Sequence, residues 1–311
     1  MNVAELTDDE LLKELKTRFF HTKQTLYDLK IVSKRLEEVN RKLQISEQVK
    51  SNFVSHMKNE INNPLSCILG LTQQLLSHDA DRETTLEIAN SIYAEAFSLD
   101  FQLRNIFAAA ELEDGATMLQ SATVDGHALM INTVNDFAHL IKAKELEVFF
   151  MGSRLTLGST PPVVAGAPKI LFKSDSDKLE LVVQNLLSNA IEFNNPGGRI
   201  DLDINIVDDR LLISVSDTGI GLDTAQLERI FDRFTQLESG IRKSHKGHGL
   251  GLSITKAVID MMEGTVLVNA NPGEGCSVTL SIPFTETDAD ADTFSVDGNE
   301  FFFGDDSAEL F

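Results

Sequence analysis

The first proline of this chain is Pro64 and the first glycine is Gly70, and that long opening run without helix breakers constrains the fold more than any other feature. It opens on Thr7-Asp8-Asp9-Glu10, a capping-box pattern for a helix N-terminus. Leu15, Leu29, Leu36 and Leu43 share one heptad position, with Thr22 as its polar exception. Leu12, Phe19 and Leu26 fill the partner position, and the seam then shifts to Val32 and Val39. Charged side chains occupy the other faces, so the pattern fits a dimeric coiled coil better than a single helix laid on its own domain.

The helical pattern runs into Pro64, which should kink it by removing an amide and crowding the preceding turn. Apolar residues resume through Ile68, Leu71 and Leu75, and the polar stretch 77–82 reads as a turn. A second helix is expected over about 83–113, with Ile88, Ile92, Ala96, Leu99, Leu103 and Ile106 as its inner stripe and Gly115 at its end. Two antiparallel helices fed by a coiled coil would pair across a two-fold axis into a four-helix bundle, making the chain a homodimer. The expected segments are a coiled-coil signalling helix at 1–48, a helical hairpin at 49–116, a second domain at 120–284 and a tail at 285–311.

With 311 residues, 42% of them hydrophobic, the chain has room for two domains and a sizeable core. A formal net charge of −21 argues against general binding to nucleic acid or an anionic membrane. No run of eighteen apolar residues occurs, so no membrane insertion is expected. Cys67 and Cys276 stand far apart, outside any metal-like spacing, which fits a reducing compartment. The expected location is the cytoplasm.

Beyond Gly115, helix-like stretches (about 126–143, 175–195, 223–232 and 250–263) alternate with strand-like ones (147–151, 199–207, 211–216, 265–269 and 277–282). The short Asp208-Asp209 link implies an antiparallel pair, and the whole reads as an α+β sandwich with one helical layer. The last 27 residues hold nine Asp or Glu and no Lys or Arg. Phe294, Phe301, Phe302, Phe303 and Phe311 are scattered among those acids, so the segment reads as a solvated tail or as a docking peptide.

Three motifs carry chemistry in the second domain. In LVVQNLLSNAIEF (181–193), Asn185 and Asn189 stand four apart on one helix face, where carboxamide oxygens can hold a hydrated Mg²⁺. Helix capping or packing is the simpler use of such a pair. In SVSDTGIGL (214–222), Asp217 can accept a hydrogen bond from an exocyclic amine such as adenine's, and Gly219 and Gly221 permit close backbone approach. In KGHGLGLSI (246–254), Gly247, Gly249 and Gly251 lead into a helix whose free amides suit phosphate oxygens. Arg242, Lys243 and Lys246 make a basic island just before it in an otherwise acidic protein.

In this order, the three motifs resemble the ATP-binding domain of sensor histidine kinases, within the wider group of gyrase, Hsp90 and MutL ATPases. The likeness covers roughly 120–284 and includes IFDRF (230–234) and NPGEGCSVTLSIP (271–283). It implies ATP and Mg as cofactors, Asp217 on adenine, Asn185 and Asn189 on the metal, and Arg233, Lys246 and the glycines near the phosphates. One residue departs: Glu192 stands where the family usually has a phosphate-binding lysine, and a carboxylate there repels a triphosphate unless cations screen it.

The first domain resembles the dimerisation and phosphotransfer bundle of the same kinases, whose pattern F-x-x-x-x-x-H-E-[I/L]-[R/K]-[T/N]-P-L overlies Phe53 to Leu65. Glu60, Pro64 and Leu65 fix the register, and the phospho-accepting histidine falls on Asn59. A carboxamide nitrogen, its lone pair delocalised, is a poor nucleophile toward phosphorus, whereas neutral imidazole keeps a free lone pair. His56 lies three residues earlier, about 60° and 4.5 Å away on a helix. That is large against the ~1 Å tolerance of positioned attack. Glu60 and Asn63 keep an E-x-x-N spacing that, by resemblance, supports dephosphorylation of a receiver through an oriented water.

The resulting fold class is α plus α+β: a coiled coil and dimeric four-helix bundle with two helices per chain, then an α/β sandwich ATP-binding domain of the histidine-kinase type. Four functions are open at this point. One is a pseudokinase, or a trans-acting kinase that phosphorylates another histidine kinase in a mixed dimer. The second is a phosphatase for a response-regulator receiver, using Glu60 and Asn63. The third is an active autokinase through His56 or with an engineered Asn59, and the last is a non-signalling ATPase.

Overall fold

A computed structural model describes residues 8–77, 81–115, 117–157, 170–233 and 249–285. The chain divides into two compact units, Met1–Glu60 and Ile61–Phe311.

Helix α1 (Asp8–Ser77) runs for 70 residues. Its heptad side chains, Leu15, Phe19, Leu29 and Leu43 among them, are exposed on the single chain, Phe19 to 74%. The i,i+4 pairs Arg18–Glu14 at 2.8 Å and Lys42–Glu38 at 3.4 Å lie on its surface. Exposed pairs of this kind contribute only about 0.3–0.5 kcal/mol each, so they leave the exposed apolar seam as the feature that needs covering. The helix continues through Pro64. Proline's fixed φ is compatible with helical backbone, and one backbone hydrogen bond is lost.

Helix α2 (Arg82–Asp114) begins at Asp81, whose side chain accepts from the Thr84 amide at 2.8 Å, and ends at Gly115 with φ 63°. Those caps are the ones the sequence supplies: an Asx N-cap, and glycine where a left-handed residue is required.

The remainder builds a six-stranded sheet and a small two-stranded one. The strands are β1 (Ala122–Asp125), β2 (Glu147–Phe150), β3 (Ser153–Arg154), β4 (Leu171–Ser174), β5 (Arg199–Val207), β6 (Arg210–Asp217), β7 (Thr265–Asn271) and β8 (Gly275–Pro283). The large sheet has the order β3-β2-β5-β6-β8-β7, with β1 and β4 paired separately. All its pairs are antiparallel except β2 with β5. Asp208 and Asp209 both have positive φ (48° and 57°) and close the β5–β6 hairpin between Val207 and Arg210. That backbone matches the right-handed strand twist.

The helices are α3 (Gly126–Asp136), α4 (Ala138–Ala143), α5 (Ser176–Glu192), α6 (Thr224–Leu227) and α7 (Gly251–Met261). Strand alternation explains why α3, α5 and α7 cover one face of the sheet. Ile200, Leu202 and Ile204 on β5, Leu211, Ile213 and Val215 on β6, and Leu280 and Ile282 on β8 are all buried. The residues between them, such as Asp201, Ser214, Ser216 and Thr279, stay partly exposed. Leu179, Val182, Leu186 and Leu187 of α5 close the core from the other side, each buried aliphatic side chain contributing roughly 1.5–3 kcal/mol.

Three expectations need correction. The single helix over 126–143 is broken at Phe137, which has φ −89° and ψ 6° and is 1% exposed. The break lets its ring meet Phe97 and Phe101 of α2 edge-on at 5.1 and 5.5 Å. The helix over 223–232 shrinks to the single turn α6, started by an Asp223–Gln226 capping box. Strands β1, β3 and β4 were not anticipated, since two to four residues carry too little alternation to read.

Candidate nucleotide site

Helix α5 organises the site. Asp175 caps its N-terminus, accepting from the Lys178 and Gln120 amides at 3.0 and 2.8 Å. Its C-terminus packs on the turn after β6. The Phe193 carbonyl accepts from Ile220 N–H at 3.1 Å, and Asn194 Oδ1 accepts from the Thr218 hydroxyl at 3.3 Å. Asn194 Nδ2 donates to the Arg199 carbonyl at 3.0 Å, so this 5%-exposed side chain fastens α5, β5 and the turn together.

Asp217 ends β6, and its Oδ1 accepts from Gly219 N–H at 2.8 Å. Burial pushes this carboxyl above the usual Asp range, with amide hydrogen bonds from Gly219 and Cys276 opposing the rise. The glycines of the turn answer first to protein backbone. A Cβ on Gly219 would lie 2.3 Å from the Phe193 carbonyl oxygen, and one on Gly221 (φ +66°) only 1.8 Å from that of Asn271. Beyond the room for a ligand expected from sequence, both are needed for packing the turn that holds Asp217.

At the other end of the site, Asn185 is 3% exposed and its Nδ2 is buried with no hydrogen-bond partner among the described residues. Gly251, the first residue of α7, is so close that an added Cβ would lie 3.1 Å from Asn185 Oδ1. Gly249 has φ +64°, and Leu250, 1% exposed, anchors the N-terminus of α7. An orphaned buried amide donor beside a glycine-led helix N-terminus fits an anionic acceptor such as a phosphate oxygen, and the oxygen of the same carboxamide is the atom a cation would use. Asn189 lies between these points on α5 and is part-buried. These are the residues that could hold a nucleotide and its cation, Asn185 and Asn189 at the metal and Asp217 at the base.

Arg233 is placed against α2, its Nη1 3.4 Å from Glu113 Oε1. Asn63 is exposed on α1, directly before the buried Pro64. His56, Asn59 and Glu60 lie within α1, but their side chains fall outside the described residues, as do Lys246, Gly247 and the tail from 286 onward.

Two contributors were missed from sequence. Lys144 Nζ donates to the Ile191 and Glu192 carbonyls at 2.8 and 2.6 Å, capping the C-terminus of α5. Burial lowers its pKa while the nearby Glu192 opposes that. Cys276 pairs with Asp217 across β6 and β8, and its thiol is pushed up to about 12 by burial and then by the Asp217 charge. Neither carries a local signal, because both act across long separations in sequence.

Residues 174–286 match the family model described as histidine kinase-, DNA gyrase B-, and HSP90-like ATPase. The chain is 30% identical over 288 residues to the sensor histidine kinase GacS of Pseudomonas protegens, covering 91% of this chain and 30% of that protein. It is 28% identical over 242 residues to the circadian input-output histidine kinase CikA of Synechococcus elongatus, covering 77% and 31% respectively. It is 31% identical over 251 residues to the sensor protein EvgS of Escherichia coli O157:H7, covering 79% and 20%. The chain thus spans less than a third of the length of these relatives. Among solved structures, full-length ShkA in complex with AMPPNP superposes with a TM-score of 0.51 at 23% identity, over 78% of this chain and 47% of that one. Residues 174–286 thus belong to the ATPase family of the histidine kinase, gyrase B and HSP90 type, in a chain that is similar over most of its own length to sensor histidine kinases.

Proposed function

We propose that this chain is a cytoplasmic, ATP- and Mg-binding signalling protein of histidine-kinase architecture that does not phosphorylate itself. It would act as a regulatory pseudokinase, or in trans on the histidine of another kinase in a mixed dimer. The observation that carries this reading is the continuous helix through 56–65. In a helix, His56 cannot take the position of Asn59, for the two are separated by about 60° and 4.5 Å. The nucleotide end keeps its chemistry in Asp217, Asn185, Asn189, Gly249 and Gly251. Asp217 would orient the base, Asn185 and Asn189 would hold a hydrated cation, and the amides leading α7 would face the phosphates. Bound ATP would supply the phosphoryl group.

The exposed heptad seam of α1 supports a homodimer, since side chains such as Phe19 and Leu36, at 74% and 69% exposure, call for a partner helix. Among the described residues, no helix is long and apolar enough to cross a membrane. Incubation with γ-labelled ATP tests the reading. The chain alone should take up no acid-labile, base-stable phosphate, and Asn59→His should restore it. Label lost on His56→Ala would instead identify His56 as the acceptor.

The exposure of Asn63 favours a second reading. One turn from Glu60, its carboxamide is free to orient water toward the aspartyl phosphate of a response-regulator receiver. Release of phosphate from such a receiver, lost in Asn63→Ala and kept in Asn59→Ala, would support it.

A further inference from the structure

We propose that Arg104 is a two-position latch between α2 and the ATPase domain. It leaves Asp100 on its own helix, turns onto the Asp136–Glu180 carboxylate pair and donates to the orphaned oxygen of Gln184. The inference goes beyond the nucleotide reading and does not depend on it.

Phe97 and Phe101 of α2 meet the ring of Phe137 edge-on at 5.1 and 5.5 Å. Arg104 stands three residues beyond Phe101, about 60° away around the helix, and Asp136 directly precedes Phe137. The guanidinium and the two carboxylates therefore border one corner of this seam, where α3 meets α5. Burial raises the pKa of both carboxyls, and the Arg104 charge lowers both. Arg104 itself is bonded to Asp100 Oδ2, through Nε at 2.8 Å and Nη2 at 2.5 Å, with side chains 47% and 60% exposed.

The corner holds acceptors that a guanidinium suits. Gln184 is 1% exposed, and its Nε2 is spent on Glu180 Oε1 at 2.8 Å and Asp136 Oδ2 at 3.5 Å. Its Oε1 is buried with no partner among the described residues. A buried acceptor left unpaired, and carboxylates drawn partly out of water, both carry a free-energy cost. Arginine offers five N–H donors in a planar fork, enough for two carboxylates and a carbonyl oxygen together. Such charge-assisted bonds are stronger at a part-buried corner than in the exposed i,i+4 pair they replace. Loss of the Asp100 pair and of side-chain freedom opposes the move, which leaves the two positions close in free energy. In the second position a charged clasp adds to the three rings, so the latch governs how readily the domain leaves α2.

Hydrogen exchange of the full chain, read by mass spectrometry over 126–143 on the domain side of the seam, tests this. Arg104→Gln should speed exchange there by about fivefold, as should Asp136→Asn combined with Glu180→Gln, and all three together should add nothing further. Arg104→Lys keeps the charge without the fork and should behave like Arg104→Gln. Asp100→Asn removes the competing position and should slow exchange by about twofold. Arg104→Gln and Asp100→Asn acting in the same direction, with the effect of the acid pair simply additive, would overturn the proposal and leave Arg104 as a partner of Asp100 alone. Side-chain NMR gives a second readout. The Arg104 Nε–Hε resonance, assigned by its loss in Arg104→Lys, should shift when Asp136 and Glu180 are neutralised, and an unmoved resonance would likewise overturn the latch.

Discussion

Gly275 lies so near Asp217 that a Cβ on Gly275 would come within 1.9 Å of the Asp217 carbonyl oxygen, and its φ is +87°. The β8 strand thus starts with a residue that must lack a side chain so that the end of β6 can carry its carboxylate. Gly275→Ala should therefore combine backbone strain with a steric clash and cost about 3 kcal/mol or more. A fall in melting temperature, with loss of ATP binding by titration, is the expected outcome; a wild-type melting curve would contradict it.

Asp217→Asn separates charge from shape. The Asn oxygen can still accept from Gly219 N–H, so the turn should hold. Removing a carboxylate that burial disfavours should leave stability unchanged or slightly raised at pH 7. ATP affinity should fall by about tenfold or more, as a charged acceptor becomes a neutral one. Binding titrations set beside thermal melts would show the two effects apart.

His139 sits between Tyr93 and Phe97 of α2, edge-on at 5.9 and 5.1 Å. Burial lowers its pKa from 6.5. A base with a depressed folded-state pKa binds fewer protons folded than unfolded, so stability is lost as pH falls below 6.5 toward the folded value. His139→Phe keeps a ring in the seam and removes the proton. Its melting temperature should be less sensitive to acidification over that window than wild type's.

Asp136 and Glu180 act with the opposite sign. They lie beside Gln184, whose amide reaches them at 3.5 and 2.8 Å, and burial raises both pKa values. The folded state then holds more protons, so stability falls as pH rises from the ordinary carboxylate values of 3.8 and 4.5 through the raised ones. Asp136→Asn should stabilise the protein at pH 7 by less than about 1 kcal/mol, solvent screening limiting the gain. Its melting temperature should vary less with pH on the acid side of neutrality, which differential scanning calorimetry would register.

Much of the local architecture could be read directly. The absence of breakers before Pro64 announced α1, Gly115 announced the end of α2, and Asp208-Asp209 announced the β5–β6 hairpin. Asn185, Asn189 and Asp217 stood out because each lies in a short motif whose spacing places oxygens on one face or one turn, and the structure sets the first two along α5 and the third at the end of β6. Phe137 was not legible, since a break that serves contacts with Phe97 and Phe101 looks, in sequence, like uninterrupted helix. The packing duty of Gly219 and Gly221 was not legible either, because the backbone they make room for, at Phe193 and Asn271, is distant in sequence.

The sequence by itself determined where helices and hairpins form, because caps, breakers and side-chain periodicity act between residues a few positions apart. Only the tertiary structure decided that β2 runs parallel to β5, that β1 finds β4 across a long separation, and that Cys276 lies beside Asp217. Those pairings rest on backbone groups and on core shape, which any alternating apolar strand could satisfy in isolation. Their selection therefore comes from packing the whole domain at once.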